Sequence, residues 1–362
     1  MNQHILLVEP KYYSQFPPIG LLKLSTLEKE KGNTTELIRK LESPKKKPDK
    51  IYVTSLFTWA WRPVWQSIRK YKALYPEAEI LLGGIYASIL PEHAKMSGAN
   101  IIHEGIFPEA EDLLPDYSLA PKWNGSIIHA SRGCRNKCLY CAVPKIEGTL
   151  NSEKISIKKY IWPGHTKIIF FDNNLLASCY WEEIFKEVLE LKMEVDFNQG
   201  LEAHLLNEKS VSLIAKMNIP AIRLAYDTIN AKEDVKNAIE LLDKKGVDKR
   251  RIFVYTLFNY TDTPDDFFFR VRDILKWGAI CYPMRFQPCV TLKKDAHISP
   301  NWTSEQLNMV ASARRVFGYG GAFPPYNALI DRFIESKKFE DIFKVYPKKE
   351  KEPTDKKTVS KE

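Results

Sequence analysis

The sequence predicts an α/β protein: an N-terminal doubly wound parallel-sheet domain followed by a partial (β/α)6 barrel of the TIM type. Three observations carry this. Short apolar runs such as Ile5-Leu6-Leu7-Val8 and Ile168-Ile169-Phe170-Phe171 lack the alternation of half-exposed strands and read as strands buried on both faces. Stretches with apolar residues at helical spacing alternate with these runs. Proline and glycine punctuate the units.

In the N-terminal part, residues 4–8 form the first strand, bounded by Glu9-Pro10. Pro17-Pro18 opens a helix carrying Ile19, Leu21, Leu22, Leu24 and Leu27, which closes at Lys31-Gly32; proline at the start and glycine at the end are the expected signals. A strand at 34–38 leads into a loop at 40–50 rich in proline and lysine. The strand at 50–57 is followed by a helix at 59–75, with Val64, Ile68 and Tyr71 on one face. A strand at 79–84 ends in Gly83-Gly84, and a short helix at 91–98 precedes a last strand at 99–105. Sheets of this kind bind ligands at the carboxyl ends of their strands. Trp59, Trp61 and Trp65 follow such an end, placed either to pack the sheet or to face a ligand. Gly83-Gly84 either permits close backbone approach or makes a tight turn.

Residues 106–126, with Pro108, Pro115, Pro121 and Gly125, read as a linker between a first domain at 1–105 and a barrel at 127–290. The barrel strands fall at 127–130, 167–171, 194–198, 221–226, 251–257 and 282–287, with helices at 181–192, 207–217, 232–245 and 264–277. Residues 291–336 are a C-terminal helical and loop segment. It includes a helix at 303–317 capped by Thr303 or Ser304, and Gly318-Tyr319-Gly320-Gly321 as a flexible loop closing the barrel mouth. A helix is expected over 328–343, and 337–362 reads as a charged, disordered tail.

Hydrophobic residues make up 44% of the chain, enough for a sizeable core. No apolar run reaches the ~18–20 residues of a membrane span, and the N-terminus lacks a basic-then-apolar pattern; a cytoplasmic protein with no membrane partner is expected. The net charge is +9, but residues 39–50 (six basic, two acidic) supply +4 and residues 337–362 (nine lysines, six acids) supply +3. The remainder is nearly neutral, so charge argues only weakly for a nucleic-acid partner.

The chemistry concentrates in Ser131-Arg-Gly-Cys-Arg-Asn-Lys-Cys-Leu-Tyr-Cys-Ala-Val-Pro144, which spaces Cys134, Cys138 and Cys141 as C-x3-C-x2-C. Thiolates select iron–sulfur clusters, zinc or cuprous copper. Three of them on a 4Fe-4S cluster leave one iron open for a substrate or cofactor. A closed zinc site takes four ligands, typically from paired C-x2-C elements, and this loop has only one such element. His129 lies in the preceding strand and reads as an inward or neighbouring side chain rather than a ligand. Absence of a secretion pattern disfavours disulfides. Cys179, Cys281 and Cys289 have no partner at metal-like spacing and read as small buried side chains.

This motif, with Tyr140 just before the third cysteine, resembles the signature of the radical S-adenosylmethionine (SAM) superfamily. The resemblance implies that Cys134, Cys138 and Cys141 hold a 4Fe-4S cluster whose open iron is chelated by the methionine amine and carboxylate of SAM. An electron from an external flavodoxin- or ferredoxin-type donor would then cleave SAM to methionine and a 5′-deoxyadenosyl radical. It further implies SAM contacts from the strand ends. Asp172, Asn173 and Asn174 stand at the methionine-amine position, and Gln199, Glu202 and Arg223 fall where the ribose and carboxylate would be. Asp227 reads as a ligand or a helix cap, and Gln287 lies near the adenine position.

The first domain resembles the cobalamin-binding domain of a large class of these enzymes, through Pro17-Pro18-Ile19-Gly20-Leu21-Leu22, Gly83-Gly84, and His103-Glu104-Gly105 leading to Glu109-Ala110-Glu111. Two departures stand against it. Glu9-Pro10-Lys11-Tyr12-Tyr13-Ser14 replaces the motif that offers cobalt an axial histidine, and the region around 36–50 is clipped. Methylation of an unactivated carbon is the outcome expected with cobalamin. Rearrangement, dehydrogenation, epimerisation or RNA modification are the alternatives without it, and a zinc-binding interaction or regulatory protein is the alternative outside the superfamily. The substrate class (small molecule, peptide or RNA) is not legible.

Overall fold

The computed structural model describes residues 2–345; the part of the expected tail after 345 lies outside the described residues. Five parallel strands, β1 (His4–Glu9), β2 (Thr34–Arg39), β3 (Lys50–Ser55), β4 (Glu79–Gly84) and β5 (Ile101–Ile102), pair in the order β2-β1-β3-β4-β5. Successive strand side chains point to opposite faces, and here both faces are covered. Leu6, Val8, Ile51, Val53, Ile80 and Leu82 pack with Val64, Ile68 and Tyr71 of the Trp61–Leu74 helix. Ile5, Leu7, Tyr52 and Leu81 meet Leu21 and Leu24 of the Ile19–Glu30 helix. Two-sided burial is why the strands read as continuous apolar runs, and each fully buried side chain contributes about 2 kcal/mol.

The crossover from β2 to β3 is a loop without a helix; its Leu41 and Glu42 carbonyls accept hydrogen bonds from Lys70 Nζ at 2.8 and 3.3 Å. Residues 85–89 form a helix not expected from the sequence, and the last strand has two residues rather than seven. Gly84 lies at φ +97° against β3, where an added Cβ would stand 2.2 Å from the Ser55 carbonyl oxygen. The glycine pair thus makes the tight turn between β4 and that helix.

Six further parallel strands follow: β6 (Gly125–Ile128), β7 (Lys167–Phe170), β8 (Glu194–Phe197), β9 (Ile222–Ala225), β10 (Ile252–Phe258) and β11 (Ile280–Arg285). They pair as β6-β7-β8 and β9-β10-β11, and the seam is joined by Val195 N to Asn218 O (2.9 Å) and Leu201 N to Arg223 O (2.8 Å). Along β10 the residues alternate: Ile252, Val254, Thr256 and Phe258 are buried against the outer helices, whereas Phe253, Tyr255 and Leu257 are half-buried on the lumen side. The outer helices start where their caps dictate. Asn207, Thr263 and Thr303 each accept from the third residue of the helix they open, an arrangement worth about 0.5–2 kcal/mol.

The C-terminal expectations need correction. The helix expected over 328–343 is two helices, Asn327–Glu335 and Phe339–Phe343. The second buries Phe339, Ile342 and Phe343 completely, so the charged tail cannot begin at 337. Gly318–321 does not close the mouth. Its neighbour Phe323 exchanges backbone hydrogen bonds with Cys281 (3.0 and 2.7 Å), the second residue of β11, at the amino end of the barrel. β11 also starts and ends earlier than expected, leaving Gln287 beyond it. Among the described residues no helix is long and apolar enough to cross a membrane.

Candidate active site at the cysteine loop

The cysteine loop leaves the carboxyl end of β6, where parallel barrels place their chemistry. It is braced on several sides. Asp172, just after β7, accepts from Ala130 N (3.0 Å), Ser131 N (2.6 Å) and Ser131 Oγ (2.8 Å). Burial nevertheless pushes its carboxyl up to about 6, against these hydrogen bonds. Arg132 is bidentate to Glu111 (2.7 and 2.8 Å) and reaches Glu147 at 3.3 Å. Its backbone pairs both ways with Asn151 at 2.9 Å, and Cys134 N donates to Gly148 O at 3.3 Å. Gly133 sits at φ +71°, donates to Glu147 Oε2 at 2.9 Å, and lies where a Cβ would be 2.1 Å from the Thr149 carbonyl oxygen. Only glycine fits there.

The thiols are supplied with donors. Asn136 N points at Cys134 Sγ and Val143 N at Cys141 Sγ, both at 3.4 Å; Asn174 Nδ2 lies 3.7 Å from Cys134 Sγ. N–H groups directed at sulfur suit anionic cluster thiolates and tune their potential. A closed zinc site takes four ligands, and this loop supplies three thiols. The donor set fits a cluster. His129 is buried, and its Nδ1 has no partner among the described residues. Burial, reinforced by the charges of Arg132, Lys23 and Lys154, holds it neutral, well below the usual histidine range.

Some sequence-derived site residues gather here. Tyr140 donates to Asp227 Oδ2 (2.9 Å), whose other oxygen accepts from Leu257 N (3.1 Å), tying the loop to the ends of β9 and β10. Burial raises both groups: the phenol further through the Asp227 charge, the carboxyl against those two hydrogen bonds. Glu202 accepts from Asn136 Nδ2 (3.0 Å) and from Asn174 Nδ2. Asn174 is 4% exposed, and its Oδ1 is buried with no partner among the described residues. It is the free acceptor of the Asp172-Asn173-Asn174 run. Asp172 is fully engaged behind the loop, and Asn173 donates to Glu147 Oε2 at 3.0 Å.

Others stand apart. Arg223 pairs with Asp196 inside the barrel, so its fork is already occupied by a carboxylate. Gln199 is exposed and meets only Asn198, at 3.3 Å. Gln287 exchanges two 3.1 Å hydrogen bonds with Asp295.

The sequence reading missed Glu147, Asn136 and Cys289. Cys289 belongs to a strap, residues 287–299, and its Sγ lies 3.5 Å from the Tyr140 carbonyl oxygen. Asn259, buried at φ +67°, accepts from Ser299 N (2.9 Å) and donates to His297 O (3.1 Å). Arg285 donates to the Asp295 and His297 carbonyls, both at 3.0 Å. The first domain holds the strap's other end through Thr58 Oγ1 to Thr291 O (2.6 Å) and Trp61 Nε1 to Leu292 O (3.3 Å). No spacing rule links Cys289 to a motif about 150 residues earlier.

Across the loop, the carboxyl ends of β1, β3 and β4 leave Tyr13, Phe57 and Ile85 exposed, while Leu139 in the loop and Val290 in the strap are exposed too. Trp59 stacks on Phe57 at 4.6 Å. Trp61 and Trp65 instead pack with His93, and Trp65 donates to Tyr86 at 3.0 Å.

No protein-family model matches the chain, and no curated protein sequence matches it. Solved structures do. The radical SAM methyltransferase TsrM from Kitasatospora setae, with cobalamin and a [4Fe-4S] cluster bound, superposes with a TM-score of 0.62 at 14% identity, covering 80% of this chain and 77% of that one. TsrM with tryptophan and a SAM analogue bound gives 0.62 at 14%, over 86% and 77%. The cobalamin-dependent SAM radical enzyme OxsB gives 0.51 at 12%, over 76% and 52%. The chain has the fold of cobalamin-dependent radical SAM enzymes. At this identity the likeness is one of architecture.

Proposed function

We propose that the chain is a radical SAM enzyme whose 4Fe-4S cluster is held by Cys134, Cys138 and Cys141. The observation that carries this is the braced loop itself: three thiols in one loop, with N–H donors directed at Cys134 and Cys141, beside Asn174 Oδ1, a buried acceptor without a partner among the described residues. When bound and reduced by a flavodoxin- or ferredoxin-type donor, the cluster supplies the electron that cleaves SAM to methionine and a 5′-deoxyadenosyl radical. The residues of the chain bind and orient. Asn174 Oδ1 accepts from the SAM ammonium, and Glu202 holds the Asn174 amide and the Asn136 side chain in register. Tyr140 and Asp227 fix the third cysteine relative to the barrel strands. Replacing Cys138 with Ala abolishes 5′-deoxyadenosine formation and the cluster's visible absorption. A C138A protein that still forms 5′-deoxyadenosine sinks the reading.

For the outcome we favour methyl transfer to carbon with cobalamin between the domains. The support is the exposed apolar side chains Tyr13, Phe57 and Ile85 after strands of the first domain, with Leu139 and Val290 exposed in the cysteine loop and the strap, and the cobalamin in the TsrM structure. Bound there, cobalamin would supply the methyl carrier. The chain offers no histidine in the loop after β1, where Lys11-Tyr12-Tyr13-Ser14 stands, so any cobalt would lack an axial imidazole from that loop. The same observation favours the second reading, a cobalamin-free radical SAM enzyme using the apolar edge for substrate. Protein reconstituted anaerobically with iron, sulfide and hydroxocobalamin, then desalted, decides between them: about one cobalt per chain for the first, none for the second.

A further inference from the structure

We infer that Cys289 is a fourth thiolate of the cluster: without SAM it binds the iron that the three-cysteine motif leaves open, and SAM displaces it. This rests on the radical SAM reading and goes beyond it, since that reading leaves the fourth iron without a protein ligand.

The geometry places Cys289 at the loop rather than in the core. Its sulfur is 3.5 Å from the carbonyl oxygen of Tyr140, the residue joined to Cys141. The remaining free cysteines do not share this position: Cys281 is wholly buried beside Thr256, and Cys179 is exposed next to Glu153.

The strap is also built to hold that sulfur in place. Asn259 takes a left-handed backbone conformation while wholly buried, a conformation unfavourable for a non-glycine residue. Its side chain spans Ser299 and His297, Arg285 and Gln287 fasten Asp295, and the first domain fastens Thr291 and Leu292. Cys289 thus sits two residues ahead of an interdomain anchor and two residues after Gln287. A second feature marks the adjacent space as a ligand's: Asn174 Oδ1, buried and without a partner, beside Cys134. The loop thus has a strap thiol at Tyr140 and a buried unpartnered acceptor beside Cys134.

The exchange balances without redox chemistry. The Fe–S bond to Cys289 would break, the SAM ammonium would give up one proton so that its nitrogen and the carboxylate oxygen could bond to that iron, and the released thiolate would take up that proton. The resting cluster is thereby closed against loss of its fourth iron until SAM arrives.

The test uses full-length protein reconstituted anaerobically to about four irons per chain, as wild type, Cys289→Ala and Cys289→Val; valine keeps the volume, so a shared effect is not a cavity effect. Without SAM, each is titrated with ferricyanide, and the 3Fe-4S signal is followed by EPR; Mössbauer spectra of the 57Fe proteins report whether one iron differs from the rest. The expected result is slow fourth-iron loss and no distinct iron in the wild type. Both variants should lose that iron on the order of tenfold faster, a removed metal contact commonly costing 10–100-fold in affinity. SAM should give the wild type a distinct iron. Equal rates and identical SAM-free spectra in all three proteins overturn the inference and leave the radical SAM reading intact. A Cys138→Ala protein that keeps the full cluster overturns both.

Discussion

Gly133→Ala is the sharpest probe of how the cysteine loop is held. The added methyl would lie 2.1 Å from Thr149 O, 2.6 Å from its carbonyl carbon and 2.9 Å from Gly148 O. All three are backbone atoms, so no side chain can rotate away. The left-handed backbone costs alanine about 1–2 kcal/mol. Moving 148–149 aside breaks the Cys134 N to Gly148 O bond and strains the Arg132–Asn151 pair, each hydrogen bond worth about 0.5–1.5 kcal/mol. The sum is about 2.5–6.5 kcal/mol of local destabilisation, enough to melt the loop while the barrel stays folded. Gly148→Ala is the matched control: φ is +76° but nothing lies within 4 Å of its Cβ, so it carries the backbone cost alone. Hydrogen exchange of the apo-protein reads the loop, and iron content after reconstitution reads its consequence. Gly133→Ala should lose protection at the Cys134 and Asn151 amides and most of its iron, whereas Gly148→Ala should keep most of both. Full iron and full protection in Gly133→Ala, or equal losses in the two variants, refute the reasoning.

Further expectations follow from the groups around the loop. Arg132→Met leaves Glu111, whose side chain is 12% exposed, without its bidentate partner and should cost about 3–5 kcal/mol in thermal or urea unfolding near neutral pH. Burial raises the Glu111 carboxyl, but Arg132 outweighs it and holds the group below its usual value. The wild-type advantage is therefore full above the unfolded carboxylate pKa and should fade as pH falls through the lower folded value; a pH-independent loss would refute the pairing. Asp172 has the opposite sign. Its folded pKa, about 6 against 3.8, makes stability greatest below the lower value and declining as pH rises through the higher one, by about 1–3 kcal/mol. Asp172→Asn should remove that slope and loosen Ala130–Ser131, seen as lower iron retention; an unchanged slope would show the carboxyl is not the titrating group. Asn174→Leu should weaken SAM binding, measured by equilibrium dialysis, by about tenfold at unchanged iron content, while Asn174→Asp retains the acceptor and most of the affinity. Equal affinity in wild type and the leucine variant would remove Asn174 from the site.

The sequence by itself determined the strand–helix order and the position of the cysteine loop, because both are local. Strands buried on two faces must be apolar throughout, as Ile5–Val8 are, and C-x3-C-x2-C brings its thiols together within a single loop. Caps such as Thr263 with Asp266 are equally local and mark the helix starts. What lay behind the cysteines was beyond its reach. Asp172 looked like a cofactor contact, since a polar residue at a strand end reads the same whether it faces forward or braces a neighbouring loop; only the pairing of β6 with β7 aims it at Ala130 and Ser131. Arg223 was read as free because Asp196 lies on another strand. The burial of the terminal helix with Phe339 and Phe343, expected as helix but also counted in the charged tail, was hidden in a lysine-rich stretch, where composition outweighs three apolar side chains until a core receives them. Cys289 is the plainest case. Nothing within its own segment distinguishes it, and only the closing of the barrel, with Asn259, Arg285 and Trp61 fastening the strap, carries it across about 150 residues to the cysteine loop.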